Sequence, residues 1–153
     1  MKPAPGALRW DAGAPPFDPR DTSGREALSA HEVADRFIQL FYVEDNPTDA
    51  FLCWIHPDYI QHNPNAPTGR DATVAMLAAA VKNNPELTHD VKRVIYGDAD
   101  LVVVHHHFRR KAGERGWSVV DILRIKDGHI VEHWDVMQEV PDPATAKNAN
   151  GMF

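Results

Sequence analysis

Leu101-Val102-Val103-Val104-His105-His106-His107-Phe108-Arg109-Arg110 is followed by Trp117-Ser118-Val119-Val120-Asp121-Ile122-Leu123-Arg124-Ile125 and then by Ile130-Val131-Glu132-His133-Trp134-Asp135-Val136-Met137-Gln138-Glu139-Val140. All three runs are rich in β-branched and aromatic residues. Turn-forming residues bound them, namely 97–98, 112–116 and Asp127-Gly128. With the preceding run 87–96 they predict four consecutive antiparallel strands. Upstream the period is helical. Ser29 and Glu32 form a capping box, with Leu28 and Val33 as its hydrophobic staple, and Val33, Phe37, Leu40 and Phe41 extend one apolar face toward Glu44. Asn46-Pro47 reads as a cap with a first-turn proline, opening a short helix that buries Phe51, Trp54 and Ile55 before Pro57. A brief strand over 59–62 is halted by Asn63-Pro64, and Thr68 with Asp71 predicts a third helix ending at Asn83-Asn84-Pro85. Helices first and a meander second make an α+β fold, with helices on one face of a curved sheet and a cleft between the layers.

The chain has 153 residues, enough for one core and too few for two ordinary domains. Residues 1–27 carry five of the twelve prolines, so a proline-rich arm is expected there and a folded domain over 28–153. Trp10 and Phe17 suggest that the arm lies against its own domain or a second subunit. A net charge of -6 leaves no basic face for a phosphate backbone, so nucleic acid is not an expected partner. Cys53 is the single cysteine, which excludes an intrachain disulfide and a cysteine-based zinc site and suits a reducing compartment. No apolar run reaches signal-peptide or membrane-spanning length, so a cytoplasmic protein with no membrane partner is expected.

Strand alternation puts His105 and His107 on one face and His106 on the other. Asp121, set among Val119, Leu123 and Ile125, is a carboxylate in an apolar face and has to be paired, hydrogen-bonded or shifted in pKa. If Lys126-Asp127-Gly128 is a three-residue loop with a G1 bulge, Asp121 faces His133, Asp135 lies opposite Val119, and an even register in the preceding hairpin brings His105 opposite Asp121. A two-residue loop shifts every pair by one and scatters the group. A buried carboxylate beside an imidazole can take a proton from a carbon acid or deliver one to an oxygen. Asp121 or Asp135 is therefore the expected proton carrier, with His105 or His133 as partner. Histidines with a carboxylate also suit a divalent metal, for which His105, His107, Asp121 and His133 are the ligand set. No phosphate-cradling glycine loop is present, so no nucleotide cofactor is expected. The apolar character of both sheet faces, through Val102, Val104, Val120 and Ile122, predicts that a second subunit or the arm covers the outer one.

Tyr59-Ile60-Gln61-His62-Asn63-Pro64 with Gly69, Gly97-Asp98 leading into Val103 to His107, Val120 to Arg124, Asp127 to Gln138 and the closing Asn150-Gly151-Met152-Phe153 together resemble the SnoaL-like branch of the NTF2-like superfamily, over about residues 29–153. The resemblance implies a cone of three helices on a curved, mostly antiparallel sheet around a ligand cavity. It also implies a homodimer through the outer sheet face and cofactor-free chemistry on a small carbonyl compound, of the polyketide-cyclase, aldol-type lyase or isomerase kind. Asp121 and Asp135 are the positions that match the family's general acid/base, with His105 and His133 as helpers. His62, Asn63, His107, Gln138 and Phe153 are expected to touch substrate, Phe153 as part of a lid. A metal-dependent enzyme using the same cavity and a ligand-binding cone without catalysis are the alternatives.

Overall fold

The computed structural model describes residues 15–98 and 100–153; the prolines at 3 and 5 and Trp10 lie outside them. Helix α1 (Ala30–Ile38) starts at the expected capping box, in which the Ser29 side chain accepts from the Glu32 N–H and Glu32 accepts from the Ser29 N–H. It runs on into a π-helical turn, Gln39–Val43, whose wider loop closes from Glu44 N–H to the Gln39 carbonyl. The π-turn buries both Leu40 and Tyr42 and leaves Val43 exposed. Helix α2 (Pro47–Trp54) is capped by Asn46, whose side chain accepts from Asp49 N–H. Strand β1 (Ile55–Gln61) follows directly, longer than the run 59–62 suggests and with Pro57 inside it. Helix α3 spans Arg70–Asn83. Thr68 does not cap it, because its hydroxyl is engaged with Gln61 N–H and the Tyr59 carbonyl.

Strands β2 (Thr88–Tyr96), β3 (Leu101–Arg109), β4 (Trp117–Lys126) and β5 (His129–Glu139) form an antiparallel meander. β1 adds in parallel beside β5, giving the order β1-β5-β4-β3-β2 in a sheet that stays open. The three helices pack on one face. Between the layers lies a core containing Phe37, Phe51, Trp54, Val102, Val104 and Leu123. Residues 15–27 lie against α1 and α2: Pro19 carbonyl accepts from the Trp54 indole at 2.7 Å, Arg20 pairs with Glu44 and Asp49, and Arg36 sits 4.5 Å over the Phe17 ring.

Two registers differ from the sequence reading, and together they determine which side chains enter the cavity. Lys126 pairs with His129, so the β4–β5 loop has two residues, Asp127 and Gly128, both at positive φ as a type I′ turn requires. That loop alone would separate the acidic and imidazole groups. A bulge restores them: Ile125 pairs with Ile130 and Arg124 with Glu132, so Val131 is an extra residue that shifts β5 by one. Beyond it Asp121 faces Asp135, Leu123 faces His133 and Val119 faces Met137. In the β3–β4 hairpin Val104, not His105, lies opposite Asp121, and His105 faces Val120. The odd register puts His106 on the inner face with Val102 and Val104, and turns His105 and His107 outward.

Gly116 holds that second register. Its φ is +66, and a Cβ there would meet the Phe108 carbonyl oxygen at 2.1 Å. Gly116→Ala combines a left-handed non-glycine residue with a backbone clash and is expected to destabilise the fold by roughly 2–5 kcal/mol. Chemical denaturation checks this; an unchanged midpoint would mean that the hairpin end relaxes freely.

Candidate active site

The inner ends of β3, β4 and β5 and the π-turn converge on the Asp121 carboxylate. Oδ2 accepts from the Tyr42 hydroxyl at 2.6 Å and from His106 Nε2 at 2.8 Å, and Oδ1 accepts from His133 Nε2 at 2.8 Å. The residue is only 7% exposed. Burial by itself would raise its pKa. The hydrogen bonds from His106 and His133, with the charge of those rings, outweigh burial and hold the carboxyl far below the usual range. Asp121 is thus a fixed anion with poor basicity.

The two histidines on this carboxylate differ. His133 Nδ1 faces Gln61 Oε1 at 2.7 Å while Nε2 faces Asp121. The orientation of Gln61 is set by its neighbours, since Oε1 also accepts from Asn63 N–H and Nε2 donates to the Tyr59 hydroxyl. Both ring nitrogens of His133 therefore donate, which makes it an imidazolium. Burial opposes that charge, but the Asp121 hydrogen bond and the charges of Asp121 and Asp135 raise its pKa. His106 donates through Nε2, and its buried Nδ1 has no partner among the described residues. Tyr42 is pushed far up by burial and by Asp121, so its proton stays in place.

Asp135 differs from Asp121. Oδ2 accepts from Asn63 Nδ2 at 2.6 Å and lies 4.0 Å from His133 Nε2, while Oδ1 has no protein partner among the described residues. Asp135, Asp121, His133, His106 and Asn63 line one cavity of about 210 Å3, whose remaining wall is mostly apolar and aromatic. Met76 on α3 and Met137 on β5 line it and are also exposed, so its mouth has an apolar rim.

Several expected site residues lie elsewhere. His105 is on the outer face, between Arg93 and Ser118. His107 is also outside, bonded to the Arg115 carbonyl, and Phe153 stacks on the His105 and His107 rings rather than closing the cavity. His62 follows β1 outward, pairs with Glu132 and stacks on Trp134 at 4.9 Å. Gln138 pairs with Ser118 on the outer side and is exposed. Alternation carries His105, His107 and Gln138 away, because the inner face holds the even residues of β3 and, past the bulge, the odd residues of β5, while His62 and Phe153 lie beyond the strands. Missing from the sequence reading were Tyr42, His106 and the Tyr59–Gln61 pair.

The expected metal ligands are divided accordingly, with His105 and His107 outside and Asp121 and His133 inside. Among the described residues Asp121, His133 and Asp135 can bring one ligand atom each within 4.8 Å of one another. His133 Nε2 is held by Asp121 Oδ1 at 2.8 Å, so a cation bound by these three residues would displace a proton from that ring.

A three-helix layer on an open five-stranded sheet, enclosing a cavity with a buried acid/base cluster, defines an NTF2-like cone. The chain belongs to the SnoaL-like domain family, whose profile matches residues 34–133. Solved structures share the fold. An NTF2-like protein of unknown function from Mesorhizobium loti is 22% identical, with a TM-score of 0.59 over 77% of this chain and 94% of that one. A candidate isomerase of the SnoaL-like family from Agrobacterium tumefaciens str. C58 is 12% identical, with a TM-score of 0.57 over 71% and 97%. A candidate polyketide cyclase from Bacillus cereus ATCC 10987 is 18% identical, with a TM-score of 0.55 over 71% and 73%. No curated protein matches the chain. Among the described residues no helix is long and apolar enough to cross a membrane.

Proposed function

We propose that this protein is a cofactor-independent enzyme that moves a proton on a small carbonyl compound, as an isomerase or an aldol-type cyclase or lyase, with Asp135 as the proton carrier. The observation that carries the reading is the contrast between the two cavity carboxylates. Asp121 is saturated by Tyr42, His106 and His133, whereas Asp135 lines the cavity and its Oδ1 has no protein partner among the described residues. In this scheme Asp135 takes a proton from the carbon next to the carbonyl, and the C–H electron pair moves onto the carbonyl oxygen as an enolate. The His133 imidazolium, held by Asp121 and Gln61, supplies positive charge beside that step. The proton now on Asp135 returns either to a different carbon, which isomerises the substrate, or to the alkoxide formed when the enolate carbon attacks a second carbonyl.

Carbon-acid chemistry can be read without knowing the natural substrate. Small cyclic and aryl ketones incubated in D2O are expected to lose α-protons faster with the protein than in buffer, as followed by proton NMR. Buffer-level rates for every ketone tried would overturn the reading. The double variant His105→Ala with His107→Ala is expected to exchange at the wild-type rate, since both rings lie on the outer face; a large loss would return them to the site.

A further inference from the structure

Resting on the carbonyl reading above, we propose that the mouth of the cavity carries an anion-binding subsite built on Arg110, and that the substrate has an apolar body with a carboxylate or phosphate at its far end. A continuous line of rings leads from the cavity to the surface. His89 on β2 and Phe108 on β3 line the cavity and stack at 5.2 Å. Phe108 pairs across the hairpin with Trp117, whose ring lies 5.7 Å away, and the Arg110 guanidinium covers the Trp117 ring at 4.7 Å. Trp117 shares the inner face of β4 with Val119 and Asp121, and the rim residue Met137 pairs with Val119, one step further in. Trp117 is half-buried and Arg110 exposed. An apolar chain leaving the cavity past Met137 therefore runs along the Phe108 and Trp117 rings and ends at a cation.

Among the described residues no carboxylate pairs with the Arg110 guanidinium, because Glu114 instead accepts from the Arg110 main-chain N–H at 2.9 Å. Arg115, by contrast, is turned toward Asp142 at 3.9 Å. A guanidinium lying over an aromatic ring keeps its N–H donors for carboxylate or phosphate oxygens, which it can meet two at a time. The turn at 109–116 carries Arg109, Arg110, Lys111 and Arg115 against Glu114, a local excess of positive charge on a chain of net charge -6. Asp142, and Glu139 opposite Trp117 on β5, offset part of it.

The inner end of the cavity has the opposite sign. There the carboxylates of Asp121 and Asp135 stand against one imidazolium, His133, so an anionic tail is repelled from the polar end and drawn to the mouth. This difference fixes which way round the ligand enters. Trp117 and Asp121 are four residues apart on β4, about 13 Å along an extended strand, and that separation sets the spacing between carbonyl and anion.

Titration calorimetry with ω-benzoyldecanoate, whose extended chain matches that spacing, and with its methyl ester tests the subsite. Wild-type protein is expected to bind the acid about fivefold more tightly than the ester at low salt, the upper range for an exposed ion pair. The short acid β-benzoylpropionate, which cannot reach Arg110, should bind no better than its own methyl ester. Arg110→Gln should bring the long acid and its ester to the same affinity while leaving the ester unchanged, which also reports an intact cavity; Arg110→Glu should make the ester the better ligand. ω-Benzoyldecyl phosphate separates the two sources of the tail: an Arg110-dependent gain larger than that of the carboxylate points to a phosphate-bearing substrate, an equal or smaller one to a free acid. Equal affinity of long acid and ester in wild type, including no binding of either, or a preference that survives Arg110→Gln, overturns the subsite. Preferential binding of the acid without α-exchange of any ketone would sink the acid/base reading and leave the subsite standing.

Discussion

Asp135→Asn is expected to lower catalysed α-proton exchange by about 10²- to 10⁴-fold, the range associated with removing a positioned general base. The substitution keeps size and leaves an acceptor for Asn63, so the fold is expected to survive; among the described residues the carboxylate accepts one protein hydrogen bond, from Asn63 Nδ2. An amide cannot take the α-proton, and the loss should fall on kcat with little change in KM for ketones that exchange. NMR exchange rates and a thermal melt of the same preparation separate the two effects. Exchange at the wild-type rate in a folded Asp135→Asn protein would dismiss Asp135 as the base.

Much of the architecture was legible because its determinants are local. The Ser29–Glu32 box, the Asn46-Pro47 cap and the turn residues around the strands act over three or four positions, and each produced the element it predicts. Asp121 was legible for a similar reason, since a lone carboxylate among Val119, Leu123 and Ile125 must find donors wherever the strand goes. Which donors it finds depends on register, and register here rests on two single-residue events. The unpaired Val131 compensates for the two-residue turn, so Asp135 and His133 reach the inner face for a reason other than the three-residue loop. The β3–β4 hairpin has odd register, and His106 takes the place expected for His105. Leu101 and Val103 on one face are as apolar as Val102 and Val104 on the other, so hydrophobicity alone did not distinguish them. Tyr42 was hidden by the π-turn, which departs from the 3.6-residue period on which a helical reading depends.

Asp121→Ala should be the most destabilising of the cavity substitutions. It would leave the Tyr42 hydroxyl, the His106 Nε2–H and the His133 imidazolium without an acceptor in the interior. Removing one partner of a buried pair costs about 3–5 kcal/mol, a large part of a total stability of roughly 5–15 kcal/mol. Asp121→Asn removes the charge and sets amide protons among three donors, so it too should unfold more easily, and its loss of activity would report on the scaffold rather than on the proton carrier. The pH dependence carries the same signature. Asp121 titrates below its unfolded value, so its contribution is complete above about pH 4 and fades as the pH falls further. His133 titrates above its unfolded value; its contribution is complete below about pH 6.5 and is lost as the pH rises through the folded pKa. Wild-type Tm should therefore decline on both sides of a plateau at about pH 4–6.5, and the His133 component of the alkaline decline should disappear in Asp121→Ala. Circular dichroism melts across pH test both parts. A wild-type Tm flat into the alkaline range, with Asp121→Ala melting at the same temperature, would mean that the carboxylate and the imidazolium do not form a buried pair.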